Sequence, residues 1–122
     1  MPATKKILII EDEKTLADAL SIKLARLGYR IQVAIDGEDG IKLITTEKFD
    51  LILLDLIMPK IDGFGVLAAL KTNKIVTPVI ILTNLSQEND LRRTKEFGAV
   101  GFFIKSNTSI ATIVEQVVHV LK

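Results

Sequence analysis

Cysteine and tryptophan are both absent from the 122 residues of this chain, and only one tyrosine and five phenylalanines are present. Without cysteine there are no disulfide bonds and no thiolate metal sites, which is compatible with a reducing compartment. With so few aromatic residues, a platform on which nucleic acid bases stack is not expected. The 16 basic and 15 acidic residues leave a formal charge of +1, so no overall field attracts nucleic acid or an anionic membrane.

Long apolar runs are also lacking. No segment approaches the roughly 18 consecutive apolar residues of a membrane-spanning helix, and no signal-peptide core precedes a cleavage site. We therefore expect a cytoplasmic protein with no direct contact to membrane or nucleic acid. A chain of this length is most simply one domain, covering residues 1–122, and it is long enough to bury a substantial core.

The sequence does contain a regular alternation of short apolar runs with helical patterns. Most of the apolar runs are continuous, as in strands that are covered on both faces. In the second, Ile31, Val33 and Ile35 alternate with Gln32 and Ala34, which suits a half-buried edge strand. The alternation predicts the α/β class, with a doubly wound five-stranded parallel sheet of order 2-1-3-4-5 flanked by five helices. The five strands are predicted at 7–10, 31–35, 51–54, 79–82 and 100–104.

The predicted helices have recognisable ends. The fourth, at 86–97, carries few apolar residues and is expected to be loosely held. The last begins after an N-cap, for which Thr108 and Ser109 are both suitable. The first ends before Gly28, a natural C-terminal stop, and carries leucines at core spacing, namely Leu16, Leu20, Leu24 and Leu27.

Asp55 is a single carboxylate within an otherwise apolar run. It follows the strand predicted at 51–54 and precedes Met58-Pro59 and Asp62-Gly63. We therefore expect it where a buried strand ends and a loop begins. An Asp at such a position can also merely end the strand or cap the next helix.

Polar residues follow three other predicted strands, with Glu11 and Asp12 after the first, Thr83 after the fourth and Lys105 after the fifth. Because the predicted order places the first and third strands side by side where the winding reverses, these residues and Asp55 should share one crevice. Three carboxylates in one crevice repel each other, so a cation is required. Lys105 supplies one positive charge, and Mg²⁺, which prefers oxygen ligands, supplies two.

We predict Asp12 and Asp55 as direct metal ligands and Glu11 as a ligand through a water molecule. The backbone carbonyl of Ile57 would complete the site. With a metal in place, an incoming phosphoryl group can be held by Lys105 while Asp55 attacks phosphorus in line, which gives an aspartyl phosphate.

Two further residues bear on this chemistry. Thr83 offers a hydroxyl that can donate to a phosphoryl oxygen, although a Thr at a strand end also commonly bonds to the backbone. His119, the single histidine, lies in the last predicted helix, far in sequence from every strand end. Acid–base catalysis by histidine is therefore not expected.

With these motifs the chain resembles a response-regulator receiver domain, the CheY-like module of two-component signalling, over essentially its whole length. The resemblance implies that Asp55 accepts a phosphoryl group from a sensor kinase histidine, that Mg²⁺ is required, and that Thr83 and Lys105 bind the phosphoryl oxygens. Such a module catalyses only its own phosphorylation and dephosphorylation, so it is not counted as an enzyme. The matching motifs are Glu11-Asp12, Asp55 in Leu-Leu-Asp-Leu-Ile-Met-Pro, Asp62-Gly63, Thr83 and Lys105.

The resemblance also implies partners and a switch. The upstream partner is a sensor histidine kinase or a histidine phosphotransfer protein, which would dock near Leu16 and Leu20. The output surface comprises the fourth helix, the fifth strand and the last helix, and the downstream protein partner is not named by the sequence. Phe102 matches the family's switch aromatic, which rotates inward with Thr83, although ordinary core packing is an equal interpretation. Both a monomer and a phosphorylation-linked dimer are compatible with the sequence.

Three positions depart from the family pattern. Ser106 stands where a Pro in a cis peptide usually follows the Lys, and we expect a trans bond because a cis bond costs about 3 kcal/mol without proline. Asn84 stands where a small residue, usually Ala, follows the Thr, and it can narrow access to the phosphoryl group or bond to it. Phe102 lacks the hydroxyl of the commoner Tyr, so any switch there must work by burial alone.

Other functions fit part of the pattern. A flavodoxin-type FMN protein shares the fold, but its phosphate loop is rich in hydroxyls and Gly, whereas Glu11-Asp12-Glu13 repels phosphate. A hydrolase with an Asp nucleophile would carry a lid, for which there is no room. A receiver that is not phosphorylated, and acts as a constitutive binding or dimerisation module, is the alternative that remains open. The chain is expected to be either a free-standing receiver or part of a longer regulator.

Overall fold

The computed structural model describes residues 4–84 and 88–122. The fourth helix was predicted from Ser86, and both Ser86 and Gln87 lie outside the described residues. Within the described residues, strands and α-helices alternate: β1 (Lys6–Ile10), α1 (Lys14–Arg26), β2 (Arg30–Ala34), α2 (Gly37–Thr46), β3 (Leu51–Leu54), α3 (Gly63–Thr72), β4 (Val79–Thr83), α4 (Glu88–Glu96), β5 (Gly101–Ile104) and α5 (Ile110–Leu121).

The five strands form one parallel sheet with the order β2-β1-β3-β4-β5, which confirms the predicted topology. Ile10 pairs with Ala34 on one side and with Leu54 on the other, so β1, β2 and β3 end at the same level. Thr83 likewise pairs with Ile104 at the ends of β4 and β5. The register therefore brings the residues that follow the strands to one edge of the sheet.

The three central strands are buried on both faces, as their continuous apolar runs predict. Alternate side chains pack on opposite faces of the sheet, for example Ile9 and Leu53 on the side of α1 and α5, and Ile10 and Leu54 on the side of α2 and α3. These four side chains are at most 1% exposed. Each contributes about 1.5–3 kcal/mol relative to an exposed position, so the two layers fix the ends of β1 and β3 firmly.

Three of the residues predicted to face the core are exposed instead. Leu27 is 54% exposed, because α1 ends at Arg26 and the chain turns through Gly28, whose φ is +98°. Ile35 is 64% exposed, because β2 ends at Ala34, the one fully buried residue of that strand. Val33, predicted on the same face as Ile35, is also exposed at 36%, so the alternation identified an edge strand correctly but placed its buried residue on the wrong face.

Side chains cap three of the helices and fix where they begin. Asp36 accepts a hydrogen bond from the backbone N of Asp39 at 2.8 Å and caps α2. Ser109 accepts from the backbone N of Thr112 at 3.2 Å, so Ser109 rather than Thr108 is the N-cap of α5. Asp62 caps α3 in the same way. No helix within residues 4–84 and 88–122 is both long enough and apolar enough to cross a membrane.

Candidate functional site

Three carboxylates lie together at the carboxyl edge of the sheet. Glu11, Asp12 and Asp55 each place a carboxylate oxygen within 4.8 Å of the other two. Backbone bonds hold two of them, because the Asp55 N–H donates to the carbonyl of Ile10 at 3.1 Å and the Glu11 N–H donates to that of Ala34 at 3.0 Å. Glu11 and Asp55 are buried, whereas Asp12 is exposed. The prediction that these three acids share one crevice is therefore confirmed.

Lys105 reaches this cluster from the end of β5. Its Nζ lies 2.9 Å from Asp55 Oδ2, 2.7 Å from Glu11 Oε1 and 3.3 Å from Glu13 Oε2. The contact with Glu13 was not predicted. The sequence carries a signal for it, because Glu13 is the third acid of the run Glu11-Asp12-Glu13. One ammonium thus faces the acid cluster, which leaves an excess of negative charge.

The two buried charges shift each other's ionisation. Burial raises the pKa of Glu11 to about 7, against the opposing effect of the Lys105 ammonium. Burial alone would lower the pKa of Lys105, but its bonds with Glu11 and Asp55 outweigh burial and raise that pKa above its ordinary value. Lys105 is therefore a permanent cation at this site.

Glu11 has one oxygen without a hydrogen-bond donor. Its Oε2 accepts from the backbone N of Glu13 at 3.0 Å. Its Oε1 lies at ion-pair distance from Lys105 but lacks the alignment of a hydrogen bond, so it is buried without a hydrogen-bonding partner. A buried carboxylate oxygen of this kind, beside two further carboxylates, is suited to a water molecule on a hard divalent ion. The donor set, with oxygen atoms throughout, fits Mg²⁺.

The loop between β3 and α3 is folded tightly against Asp55. The backbone N of Ile57 donates to Asp55 Oδ1 at 3.2 Å, which orients the carboxylate. Gly63 starts α3 so close to this loop that a Cβ there would lie 2.4 Å from the carbonyl oxygen of Asp55. The Asp62-Gly63 motif therefore has a local reason, because Asp62 caps the helix and only glycine allows the approach.

A cavity of about 190 Å³ opens on the cluster. Larger cavities occur elsewhere, including one of about 440 Å³ at the opposite edge of the sheet between Leu70 and Val100. Convergent carboxylates and a lysine, rather than size, identify the smaller cavity as the functional one. It is lined by Asp12, Glu13, Asp55, Ile57, Asn84 and Lys105.

Glu11 and two other predicted residues, Thr83 and Phe102, do not line this cavity. Thr83 is fully buried at the end of β4, one residue before Asn84. Phe102 is half-buried in β5 and packs against the apolar layer on the side of α2 and α3. Their roles as switch residues stay predictions.

Two of the three departures from the family pattern, Asn84 and Ser106, are in contact. Asn84 Oδ1 accepts a hydrogen bond from the backbone N of Ser106 at 3.1 Å. The peptide bond before Ser106 is trans, as predicted, and no cis peptide occurs in the part of the chain that the structure describes. Lys105 nevertheless reaches Asp55, so the trans path does not displace its ammonium.

Solved structures of receiver domains superpose closely on this fold. The receiver domain of the Francisella response regulator 1452 is 30% identical with a TM-score of 0.89, and each chain covers 97% of the other. The response regulator protein TrrA of Thermotoga maritima, solved in complex with Mg²⁺-BeF, is 29% identical with a TM-score of 0.84 and covers 97% of this chain and 100% of its own.

Sequence comparison gives full-length relatives. The alkaline phosphatase synthesis transcriptional regulatory protein PhoP of Bacillus subtilis is 40% identical over 101 residues, which are 83% of this chain and 42% of PhoP. DltR of Streptococcus agalactiae, a transcriptional regulatory protein, is 39% identical over 100 residues, which are 82% of this chain and 45% of DltR. The chain thus spans less than half the length of these curated relatives.

The family model for the response regulator receiver domain matches residues 7–117, from the second residue of β1 into α5. The match covers the acid cluster, the β3–α3 loop and Lys105 in one stretch. Receiver domains belong to two-component signalling, in which a cognate histidine kinase is the partner, and they are phosphoacceptors rather than enzymes in the usual sense. Their acidic cluster is typical of a magnesium site. Fold, site and family model agree, and the chain belongs to the response regulator receiver family.

Proposed function

We propose that Asp55 is the phosphoacceptor, and that it takes a phosphoryl group from the phosphohistidine of a sensor histidine kinase or a histidine phosphotransfer protein. The observation that carries the proposal is the position of the Asp55 carboxylate. It is buried, lies 2.9 Å from the Lys105 ammonium and shares an edge with Glu11 and Asp12. Its Oδ1 is oriented by the Ile57 N–H, so the carboxylate is held ready for in-line attack.

A magnesium ion would be held by the carboxylates of Asp12 and Asp55, the backbone carbonyl of Ile57 and, through a water molecule, Glu11. When bound, the ion neutralises charge on the phosphoryl oxygens and on the acids around it. Support for this ligand set comes from the cluster of three carboxylates and from the buried Oε1 of Glu11, which has an ion pair with Lys105 but no aligned hydrogen-bond donor. The related TrrA, solved in complex with Mg²⁺-BeF, supports the choice of magnesium as the ion.

The transfer itself is a displacement at phosphorus. A carboxylate oxygen of Asp55 forms the new bond, the bond from phosphorus to the histidine nitrogen breaks, and that nitrogen keeps the electron pair. Lys105 balances the charge that the phosphoryl group brings, because its ammonium already lies beside Asp55 Oδ2. No side chain of the site has to remove a proton from the nucleophile, since a carboxylate attacks directly.

The phosphoryl group would then draw Thr83 towards it, with its hydroxyl donating to a phosphoryl oxygen, and Phe102 would follow. We propose α4, β5 and α5 as the surface that changes and that a downstream protein reads. The weak burial of α4 supports this choice. Its Leu91 is only half-buried, and Thr94 is its one fully buried residue among those described.

The test is intact-mass measurement after incubation with acetyl phosphate and Mg²⁺, followed by the same measurement with a phosphorylated histidine kinase. The wild type should gain one phosphoryl mass, whereas Asp55→Ala should gain none and EDTA should prevent the gain. Gain of the phosphoryl mass by Asp55→Ala would remove Asp55 from its role. A wild type that stays unmodified with both donors would favour the alternative, a constitutive binding or dimerisation module.

A further inference from the structure

Two loops are joined directly beside the cavity. The loop after β4 begins with Asn84, and the turn after β5 contains Ser106, 22 residues further along the chain. The carboxamide oxygen of Asn84 accepts the backbone N–H of Ser106 at 3.1 Å. Because this donor fixes which end of the carboxamide is the oxygen, the side chain of Asn84 is held in one orientation.

Each partner of this bond follows directly after a residue of the proposed mechanism. Asn84 follows Thr83, and Ser106 follows Lys105. Ser106 can donate only because it is not proline, which has no backbone N–H. Asn84 can accept only because it is not the small apolar residue that the family resemblance predicts there. The two departures therefore form one feature, since either alone would leave the other without a partner in this bond.

The bond also restrains the turn that carries Lys105. This residue begins a short 3₁₀ turn, Lys105–Asn107, directly after the last residue of β5. The side chain of Lys105 is 10% exposed, and its ammonium must lie within reach of both Glu11 and Asp55. A trans peptide leaves this turn without the rigidity of a cis proline, and all four residues of β5 are only half-buried. A second attachment for the turn is therefore needed, and the Asn84 side chain provides it.

We propose that Asn84 is a positioning residue for phosphorylation, which acts by holding the turn of Lys105 through the Ser106 N–H. This inference rests on the proposed function of Asp55 and Lys105. Because Asn84 also follows Thr83, the same bond makes the Thr83 loop and the Lys105 turn move as one unit. An inward shift of Thr83 would thus be accompanied by an adjustment of Lys105.

The experiment compares Asn84→Leu with Asn84→Ala. Leucine keeps the branched shape of asparagine at a somewhat larger volume and removes the acceptor, whereas alanine removes the acceptor and also opens the cavity. Both should slow phosphorylation of Asp55 by acetyl phosphate by roughly three- to tenfold, the effect of one hydrogen bond on position. Asn107→Leu, a matched change at an exposed asparagine in the same turn, should leave the rate unchanged. If Asn84→Ala reacted faster than the wild type and Asn84→Leu more slowly, the volume of the side chain would control access to Asp55. That result would overturn the inference.

A second measurement separates positioning from a general loss of structure. In a Lys105→Met background, Asn84→Leu should have no further effect on the rate, because the residue through which it acts is gone. Equal fold-changes in both backgrounds would overturn the inference. Hydrogen exchange of the Ser106 amide should be slow in the wild type and faster in both Asn84 variants. If the Ser106 amide exchanged as fast in the wild type as in the variants, the inference would be overturned, whether or not Asp55 is phosphorylated.

Failure of this inference can be told apart from failure of the proposed function. A wild type that takes no phosphoryl group from either donor contradicts the role of Asp55, and the Ser106 amide still reports on the bond. A wild type that is phosphorylated at the same rate as Asn84→Leu contradicts only the role of Asn84.

Discussion

The strands that carry the acids, β1 and β3, are more deeply buried than α4 and β5 of the proposed output surface. Every residue of β3, and four of the five in β1, are buried, and their backbones are bonded to each other at the site. In β5 every residue is only partly buried, and the described side chains of α4 include one fully buried residue, Thr94. The acids thus lie on a rigid pair of strands, whereas α4 and β5 of the proposed output surface are less firmly held than α5, which buries Ile113 and Val117.

The contacts between α3 and the segment of α4 show how weakly this less buried region is held. The guanidinium of Arg93 lies 3.7 Å from the centroid of the Phe64 ring, and Lys71 Nζ lies 5.9 Å from that of Phe97. Cation–π contacts at exposed positions contribute about 0.5–1 kcal/mol each. A helix held by contacts of this size can be repositioned by one charged group arriving at the site, whereas the buried ends of β1 and β3 cannot.

The largest expected effect comes from one substitution made on both sides. Leu53→Ala in β3 should lower the free energy of unfolding by about 2–5 kcal/mol, because it removes a fully buried side chain and leaves a cavity. Leu91→Ala in α4 should cost less, about 1 kcal/mol, because that side chain is only partly buried. Urea unfolding of both variants measures the difference. Equal losses of stability would show that α4 is held as firmly as β3, which would contradict the difference between the two regions.

The sequence was sufficient to predict the strands and the charged residues at their ends. It was insufficient to predict the contacts between the loops that follow the strands. Strand order and the convergence of Glu11, Asp55 and Lys105 could be predicted because buried strands are continuous apolar runs and their charged ends stand out. The contact between Glu13 and Lys105 and the bond between Asn84 and Ser106 could not, because they depend on how separate loops approach each other. The exposure of Ile35 was missed for the same reason, since only the three-dimensional end of β2 decides it.

The second effect concerns the buried acid Glu11. Glu11 holds its proton up to about pH 7 when folded, whereas the same carboxyl in the unfolded chain loses it near the ordinary value of about 4.5. Between these values the folded state binds more protons, so the free energy of unfolding should fall as pH rises, by at most about 1.4 kcal/mol per pH unit. Lys105, Asp55 and Glu13 face Glu11 as well, so the measurement is a difference between wild type and Glu11→Gln without Mg²⁺. Parallel stability curves from pH 5 to 7 would contradict the prediction.

Magnesium affinity should depend on the same proton of Glu11, but it should rise with pH, whereas the free energy of unfolding falls. Because Glu11 must be deprotonated to hold the ion through water, Mg²⁺ affinity should fall as pH drops below about 7, by up to tenfold per unit. Calorimetric titration at pH 6, 7 and 8 measures this, in buffers of different ionisation enthalpy so that proton release is counted. Glu11→Gln should bind more weakly at pH 8 and lose the dependence in this range. An unchanged dependence in that variant would assign the proton to another group.

The smallest effect tests the output side alone. Arg93→Gln removes the cation over the Phe64 ring, and it should lower the protection of α4 amides against hydrogen exchange by the equivalent of about 0.5–1 kcal/mol. Arg92→Gln, an equal change of charge at the neighbouring exposed residue, serves as the control. Amides of β1 and β3 should exchange as in the wild type in both variants. If the loss of protection spread from α4 into β3, the two regions would unfold as one unit, and a weakly held α4 could not explain how a phosphoryl group on Asp55 reaches the output surface.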